Sequence, residues 1–201
     1  MSNDWIKKHK TFFYCIHMWE FLYNFENFKR ICPMGSILLK NILHEESACQ
    51  ILIQGNRISG ILPADAEVNL PADAEVVDCT GKAVLPGFVN MHTHAGMAMM
   101  RGVGEDIVFH EWIDRIWKVE SDIDEEYVYH ATKVACLEMI KTGTTTFNDH
   151  YWHMPMAYKA AMEMGLRCGL AYVICDRNDP VESERQKVQC REMYEYSRQW
   201  G

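Results

Sequence analysis

From Ile37 onward, apolar and polar positions alternate along the chain in short runs. Ile37 to Ile42, Gln50 to Gln54 and Arg57 to Leu62 are short apolar-rich runs that read as strands. The Gly55-Asn56 pair between the last two predicts a hairpin. A loop follows in which Pro-Ala-Asp-Ala-Glu-Val occurs twice, at Pro63 to Val68 and at Pro71 to Val76. The repeat is too short for a solenoid and reads as a surface loop. A strand at Glu75 to Asp78 and a turn at Thr80-Gly81 close this β-rich stretch.

After Gly81 the pattern changes to strands alternating with helices. Ala83 to His94 reads as a buried strand. Asp124 to Lys141 carries Val128, Ala131, Ala135 and Met139 at helical spacing and stops at Gly143. Thr144 to His150 is a second strand, a helix from about Pro155 ends at Gly165, and Arg167 to Asp176 is a third strand. Proline at a helix start and glycine just past its end are where capping places them. Such alternation predicts an α/β fold with a parallel sheet or a barrel.

The first 33 residues break the pattern: Trp5, Phe12, Phe13, Tyr14, Trp19, Phe21, Tyr23, Phe25 and Phe28 crowd together with no clean period. Two readings compete, an aromatic helix that docks on a partner and upstream sequence ahead of a true start at Met34. The expected division is therefore 1–33 as an atypical extension, 34–80 as a β-sandwich segment and 81–201 as the first part of a barrel.

Composition narrows the function. Nearly half of the 201 residues are apolar, enough to build a core. The 28 acidic against 20 basic residues offer no basic field for nucleic acid. No apolar run nears the roughly 18 to 20 residues of a membrane-spanning helix. Eight cysteines lack CxxC spacing and read as reduced thiols of a cytoplasmic protein, with a disulfide-bonded secreted protein as the competing reading.

The chemistry centres on His92-Thr93-His94, at the end of the first strand after Gly81. Strand side chains alternate between faces, so Asn90, His92 and His94 point one way while Val89, Met91 and Thr93 point the other. Neutral imidazoles two residues apart can share one divalent ion, and strand ends are where (β/α)₈ barrels keep their active sites. A paired histidine in an arbitrary strand is more often structural. The surrounding Pro86-Gly87, the Met-rich loop and Arg101-Gly102 favour the metal reading.

Leu85-Pro86-Gly87-Phe88-Val89-Asn90-Met91-His92-Thr93-His94, Arg101-Gly102, Glu111-Trp112, Glu120 and Thr142-Gly143-Thr144-Thr145-Thr146 together resemble the amidohydrolase superfamily. Within it, the likeness is to the branch of S-adenosylhomocysteine, 5′-methylthioadenosine and guanine deaminases and chlorotriazine hydrolases. It covers about residues 37 to 176. The resemblance implies the N-terminal part of a (β/α)₈ metal-dependent hydrolase barrel with a small flanking β-sandwich. It implies His92 and His94 as two ligands of a single zinc or iron ion, and Glu120 as the acid that binds ribose hydroxyls. The bland alternative for Glu120 is a solvated charge at a helix end.

Asp149, His150 and His153 are expected to support the site rather than to ligate metal, and Arg101 reads as a rim ion pair. One departure is Tyr172, where adenosine-type deaminases of this branch carry a substrate-holding arginine.

The implied reaction is hydrolytic deamination of adenosine-type or related N-heterocyclic small molecules, with water activated by the metal. The resemblance places the remaining ligands and the proton donor on later strands than this sequence holds, so no catalytic acid is assigned here. A full barrel needs about 250 residues, and Gly81 to Gly201 supplies roughly three of its eight units. The chain alone is thus expected to be inactive, with homo-oligomerisation of a full-length protein left open. The alternative is a catalytically inactive remnant that serves as an interaction module.

Overall fold

The computed structural model describes residues 35–176 and 178–199. The readings of residues 1–33 lie outside the described residues. The described residues divide into two compact units, one up to 88 with 141–143, the other 89–140 with those from 144 on.

The first unit is a four-stranded sheet of β1 (Ser36–His44), β2 (Ser47–Gln54), β3 (Arg57–Pro63) and β4 (Glu75–Asp78), in the order β3-β2-β1-β4. β1, β2 and β3 pair antiparallel, and β4 joins β1 in parallel. The Gly55-Asn56 hairpin forms as expected, with Gly55 at φ +58°. A second hairpin turns at Glu45 and Glu46, both at positive φ. Asn41 also takes positive φ where the β1–β2 register shifts, and its side-chain amide donates to Asp78 Oδ1 at 2.9 Å. Asparagine tolerates that conformation better than most residues, which lets β1 continue past the bulge. Leu39, Ile42, Cys49, Ile51, Cys79 and Val84 form the core.

Each Pro-Ala-Asp-Ala copy closes the same turn, with Ala66 N–H donating to Pro63 O at 3.1 Å and Ala74 N–H to Pro71 O at 3.0 Å. The buried Gln50 amide pins the first copy by donating to Pro63 O and Ala66 O at 3.1 and 2.8 Å.

The second unit holds β5 (Phe88–Thr93), β6 (Thr144–Tyr151) and β7 (Arg167–Tyr172) in that order, with β6 and β7 parallel. Four helices accompany them: α1 (Phe109–Glu120), α2 (Glu125–Lys141), α3 (Met154–Met164) and α4 (Pro180–Ser197). This is the strand-and-helix alternation the sequence predicts. Along β6, Thr145, Phe147, Asp149 and Tyr151 are buried while Asn148 and His150 are exposed. One face of the sheet therefore packs on helices, through Ala135 and Cys136 of α2 and Ala157 and Ala161 of α3. The other face carries the polar groups.

Two strand expectations are corrected. The buried strand expected over Ala83 to His94 begins only at Phe88 and is largely exposed, because Ala83 and Val84 pair with Leu43 of β1 and Pro86 has no N–H to extend a ladder. The strand expected to reach Asp176 stops at Tyr172. The Gln186 amide of α4 takes the backbone of Cys175 instead, accepting from its N–H at 2.6 Å and donating to its C=O at 3.2 Å.

Candidate metal and substrate site

His92 lies in β5, and His94 immediately follows it and leads into a short 3-10 helix, Ala95–Met99. The strand alternation brings their rings together: the two Nε2 atoms are 3.2 Å apart and the rings meet nearly edge-on at 86°. His94 Nδ1 sits 3.0 Å from the carbonyl oxygen of His150. A carbonyl can only accept, so Nδ1 carries the proton and Nε2 keeps its lone pair. This is the outer hydrogen bond that metal-ligating histidines ordinarily make.

Two nitrogen donors 3.2 Å apart suit one divalent ion. Bonds of about 2.1 Å from each would subtend about 100° at the ion, near the tetrahedral angle. Imidazole donors suit zinc and also iron. Among the described residues no group of three or more His, Cys, Asp or Glu side chains is arranged to hold a metal. The pair offers two such donors.

Asp149 secures the segment that carries the pair. Its Oδ1 accepts from the Thr93 hydroxyl and from Ala95 N–H, each at 2.9 Å, gripping both neighbours of His94. Asp149 is fully buried and its Oδ2 has no hydrogen-bond partner among the described residues. Burial pushes its carboxyl upward, against the opposing pull of the Ala95 and Thr93 hydrogen bonds. The His150 ring lies over His94, with centroids 4.5 Å apart and 6.2 Å from His92. His153 stands apart in a structural place: at φ 51° it starts α3, and its carbonyl accepts from Met156 N–H at 2.9 Å.

Glu120 is the last residue of α1 and is half-buried. The Tyr151 hydroxyl donates to the Met100 sulfur at 4.0 Å, and the Glu120 charge bears on it. Burial first, and then the Glu120 charge, push the Tyr151 phenol well above its usual range. Tyr151 is 2% exposed, and its ring packs against Gly96, where a Cβ would meet ring carbons at 2.1 and 2.3 Å. Sequence reading did not single out Tyr151 or Gly96. The alternation along β6 that aims His150 to one face and Tyr151 to the other was the available signal.

Arg101 forms an ion pair with Glu138 in which both guanidinium nitrogens engage the carboxylate, and both side chains are largely exposed. Tyr172 is half-buried on the helix side of β7, where its hydroxyl donates to Gln189 Oε1 of α4 at 2.9 Å. The neighbouring Ala171, exposed and paired with His150, faces the polar side instead.

With this geometry in place, comparison with known proteins is decisive. The model of the amidohydrolase family matches residues 83–198. The chain belongs to the amidohydrolase family. Among curated relatives of this amidohydrolase, a 5′-deoxyadenosine deaminase of Methanocaldococcus jannaschii is 40% identical over 151 residues, covering 75% of this chain and 36% of that protein. A 5-methylthioadenosine/S-adenosylhomocysteine deaminase of Thermococcus kodakarensis is 39% identical over 166 residues, covering 79% and 38%. The chain thus spans well under half the length of these relatives. A solved adenosine deaminase from Xanthomonas campestris with bound zinc aligns at a TM-score of 0.67 and 27% identity, over 84% of this chain and 40% of its own. The zinc complex of an atrazine chlorohydrolase from Arthrobacter aurescens aligns at 0.57 and 20% identity, over 68% and 35%, and shares the fold.

Proposed function

We propose that this amidohydrolase supplies the first part of the active site of a metal-dependent hydrolytic deaminase acting on adenosine-type small molecules. The observation that carries the reading is the convergence of His92 and His94 on one point, with the His94 proton held on Nδ1 by the His150 carbonyl. The names of the curated relatives and the zinc in the Xanthomonas structure support the substrate class and the metal. His92 and His94 would hold the ion, zinc in preference to iron. When bound, a divalent ion supplies Lewis-acid activation of water near neutral pH.

The chain's own residues do the rest of the work assigned here. Asp149 holds the Thr93 hydroxyl on one side of His94 and the Ala95 N–H on the other, so the imidazole keeps one orientation. Glu120, half-buried at the end of α1, is an acceptor for the sugar hydroxyls, a role that suits a carboxylate with several lone pairs. Tyr172 is engaged with Gln189, so it does not take over the work of a substrate-holding arginine.

We take residues 34–80 as the small β-segment and 81–201 as the opening units of the barrel, with Ala83 and Val84 packed on the first unit. A cytoplasmic setting accords with the free Cys49, Cys79 and Cys136 buried in the cores. Among the described residues no helix is long and apolar enough to cross a membrane. The test is metal content after dialysis of the zinc-exposed chain and of a His92→Ala, His94→Ala double variant. Zinc retained by the wild type and lost by the variant supports the assignment; equal content in both refutes it.

A further inference from the structure

We propose that His150 is the positioning residue for His94, and that its imidazole ring as well as its carbonyl keeps the His94 ring turned toward the point it shares with His92. The proposal rests on the reading of His92 and His94 as metal ligands. An imidazole binds a metal through a lone pair that lies in the ring plane, so a ring that swings takes its lone pair away from the ion. His92 lies within β5. His94 lies just past it, at φ −132° and ψ 72°, where the strand has ended and the 3-10 helix begins. The plane of its ring is therefore set by what touches it.

His150 touches it twice. Its carbonyl oxygen accepts from Nδ1–H at 3.0 Å, which anchors one edge of the ring but leaves a pivot about that bond. The imidazole of the same residue lies over the His94 ring, with centroids 4.5 Å apart and planes 33° apart, and obstructs the pivot from one face. Aromatic rings at this separation attract one another. An edge anchor and a face contact together define a plane.

The direction of His150 comes from β6. Thr145, Phe147, Asp149 and Tyr151 are buried in the alternation, so His150 is sent to the exposed polar face. Its partner across the ladder there is Ala171 of β7, and Gly169 pairs with Asn148 one step earlier on that face. A methyl group and a bare Cα offer the ring little to pack on, whereas His94 offers a flat aromatic face. Among the described residues no third donor joins His92 and His94, so His150 positions rather than ligates.

Side-chain substitution at His150 leaves its carbonyl in place, which separates the two contacts. The full chain is made as wild type, His150→Ala, His150→Phe, and a variant carrying both His92→Ala and His94→Ala. The dissociation constant for cobalt(II), a coloured substitute for zinc, is measured by competition with a chromophoric chelator. The expected result is about three- to tenfold weaker binding in His150→Ala, the contribution of one aromatic pair, and binding within about twofold of wild type in His150→Phe, which restores a flat ring without a nitrogen. Unchanged affinity in His150→Ala overturns the proposal. So does a His150→Phe variant as weak as His150→Ala, which makes the nitrogen rather than the ring face the part that acts. Thermal unfolding of the metal-free wild type, His94→Ala, His150→Ala and their double variant reads the stack by itself: non-additive Tm shifts are expected, and additive ones overturn it. Cobalt bound equally by the wild type and the His92→Ala, His94→Ala variant, or by neither, refutes the metal reading and the positioning role that rests on it, whatever the metal-free cycle says of the stack.

Discussion

Replacing Gly96 by alanine puts the sharpest question to the cradle that this residue makes for the Tyr151 ring. The added Cβ would lie 2.1 Å from Tyr151 Cε1, 2.3 Å from Cδ1 and 3.2 Å from Cζ. Carbon atoms rest about 3.5 to 4.0 Å apart, so the ring must retreat by roughly 1.5 Å or the 3-10 segment must lift. A tyrosine ring has no flexible end to bend aside, and neighbours Val128 and Met154 are themselves fully buried. Overpacking of this kind costs about 1 to 3 kcal/mol, and the upper end applies to a ring wedged against backbone. At about 2 to 4 °C per kcal/mol for a chain of this size, Tm should fall by roughly 6 to 12 °C.

A four-member cycle of wild type, Gly96→Ala, Tyr151→Ala and the double variant, followed by circular dichroism, isolates the cause. Once the ring is gone, Gly96→Ala should be neutral or gain about 0.4 to 1 kcal/mol from the reduced freedom of the unfolded chain, since Gly96 does not need positive φ. A Gly96→Ala variant within about 0.5 kcal/mol of wild type, or additive effects across the cycle, would refute the cradle.

Other perturbations have equally definite outcomes. Asp179 caps α4 by accepting from Val181 and Glu182 N–H at 2.9 and 3.4 Å, so Asp179→Ala should cost about 1 kcal/mol in urea unfolding. Glu182, held by Arg185 and Gln186, titrates at about 2 rather than near 4.5. Because its folded value lies below the unfolded one, its contribution to stability is complete above pH 4.5 and is lost as pH falls toward 2. Glu182→Gln should accordingly flatten the acid limb of the stability profile. Burial pushes the Cys136 thiol up to about 12, so Cys136 should resist iodoacetamide at pH 8 and react only after denaturation. The zinc-loaded chain should release no ammonia from adenosine, because two imidazoles are all the ligand set the described residues provide; turnover that scales with protein would contradict this.

The histidine pair was legible in the sequence because strand alternation is a rigid rule: residues two apart share a face, and His92 and His94 do converge. The α2 pattern was legible for the same reason, since Val128, Ala131 and Ala135 are buried as the helical period requires. α1 was there to be read, since Phe109, Trp112, Ile113, Ile116 and Trp117 recur at helical spacing. α4 escaped notice because it has a single buried residue, Gln186, and its hydrophobic period is silent; the local charge pairs Glu182–Arg185, Glu184–Lys187 and Glu195–Arg198 accompany it instead. The Asp179-Pro180 start signal was there to be read. What no periodicity could reveal is the Gly96–Tyr151 contact, which joins residues 55 positions apart through the absence of a side chain.

The doubled Pro-Ala-Asp-Ala turn has a consequence for the length of the β3–β4 connection. β3 and β4 are opposite edges of the sheet, three strand spacings apart, or roughly 14 Å. If one eight-residue copy were deleted, Pro71 would succeed Leu62 as the end of β3, leaving residues 72, 73 and 74 before Glu75. Four Cα-to-Cα steps reach at most about 13 to 14 Å when fully drawn out, and the turn closed by Ala74 N–H and Pro71 O forbids that extension. A single copy is a turn that cannot cross the sheet. Two in tandem make a bridge, so the duplication acts as a ruler: losing one copy should detach β4 from β1 rather than merely trim a loop.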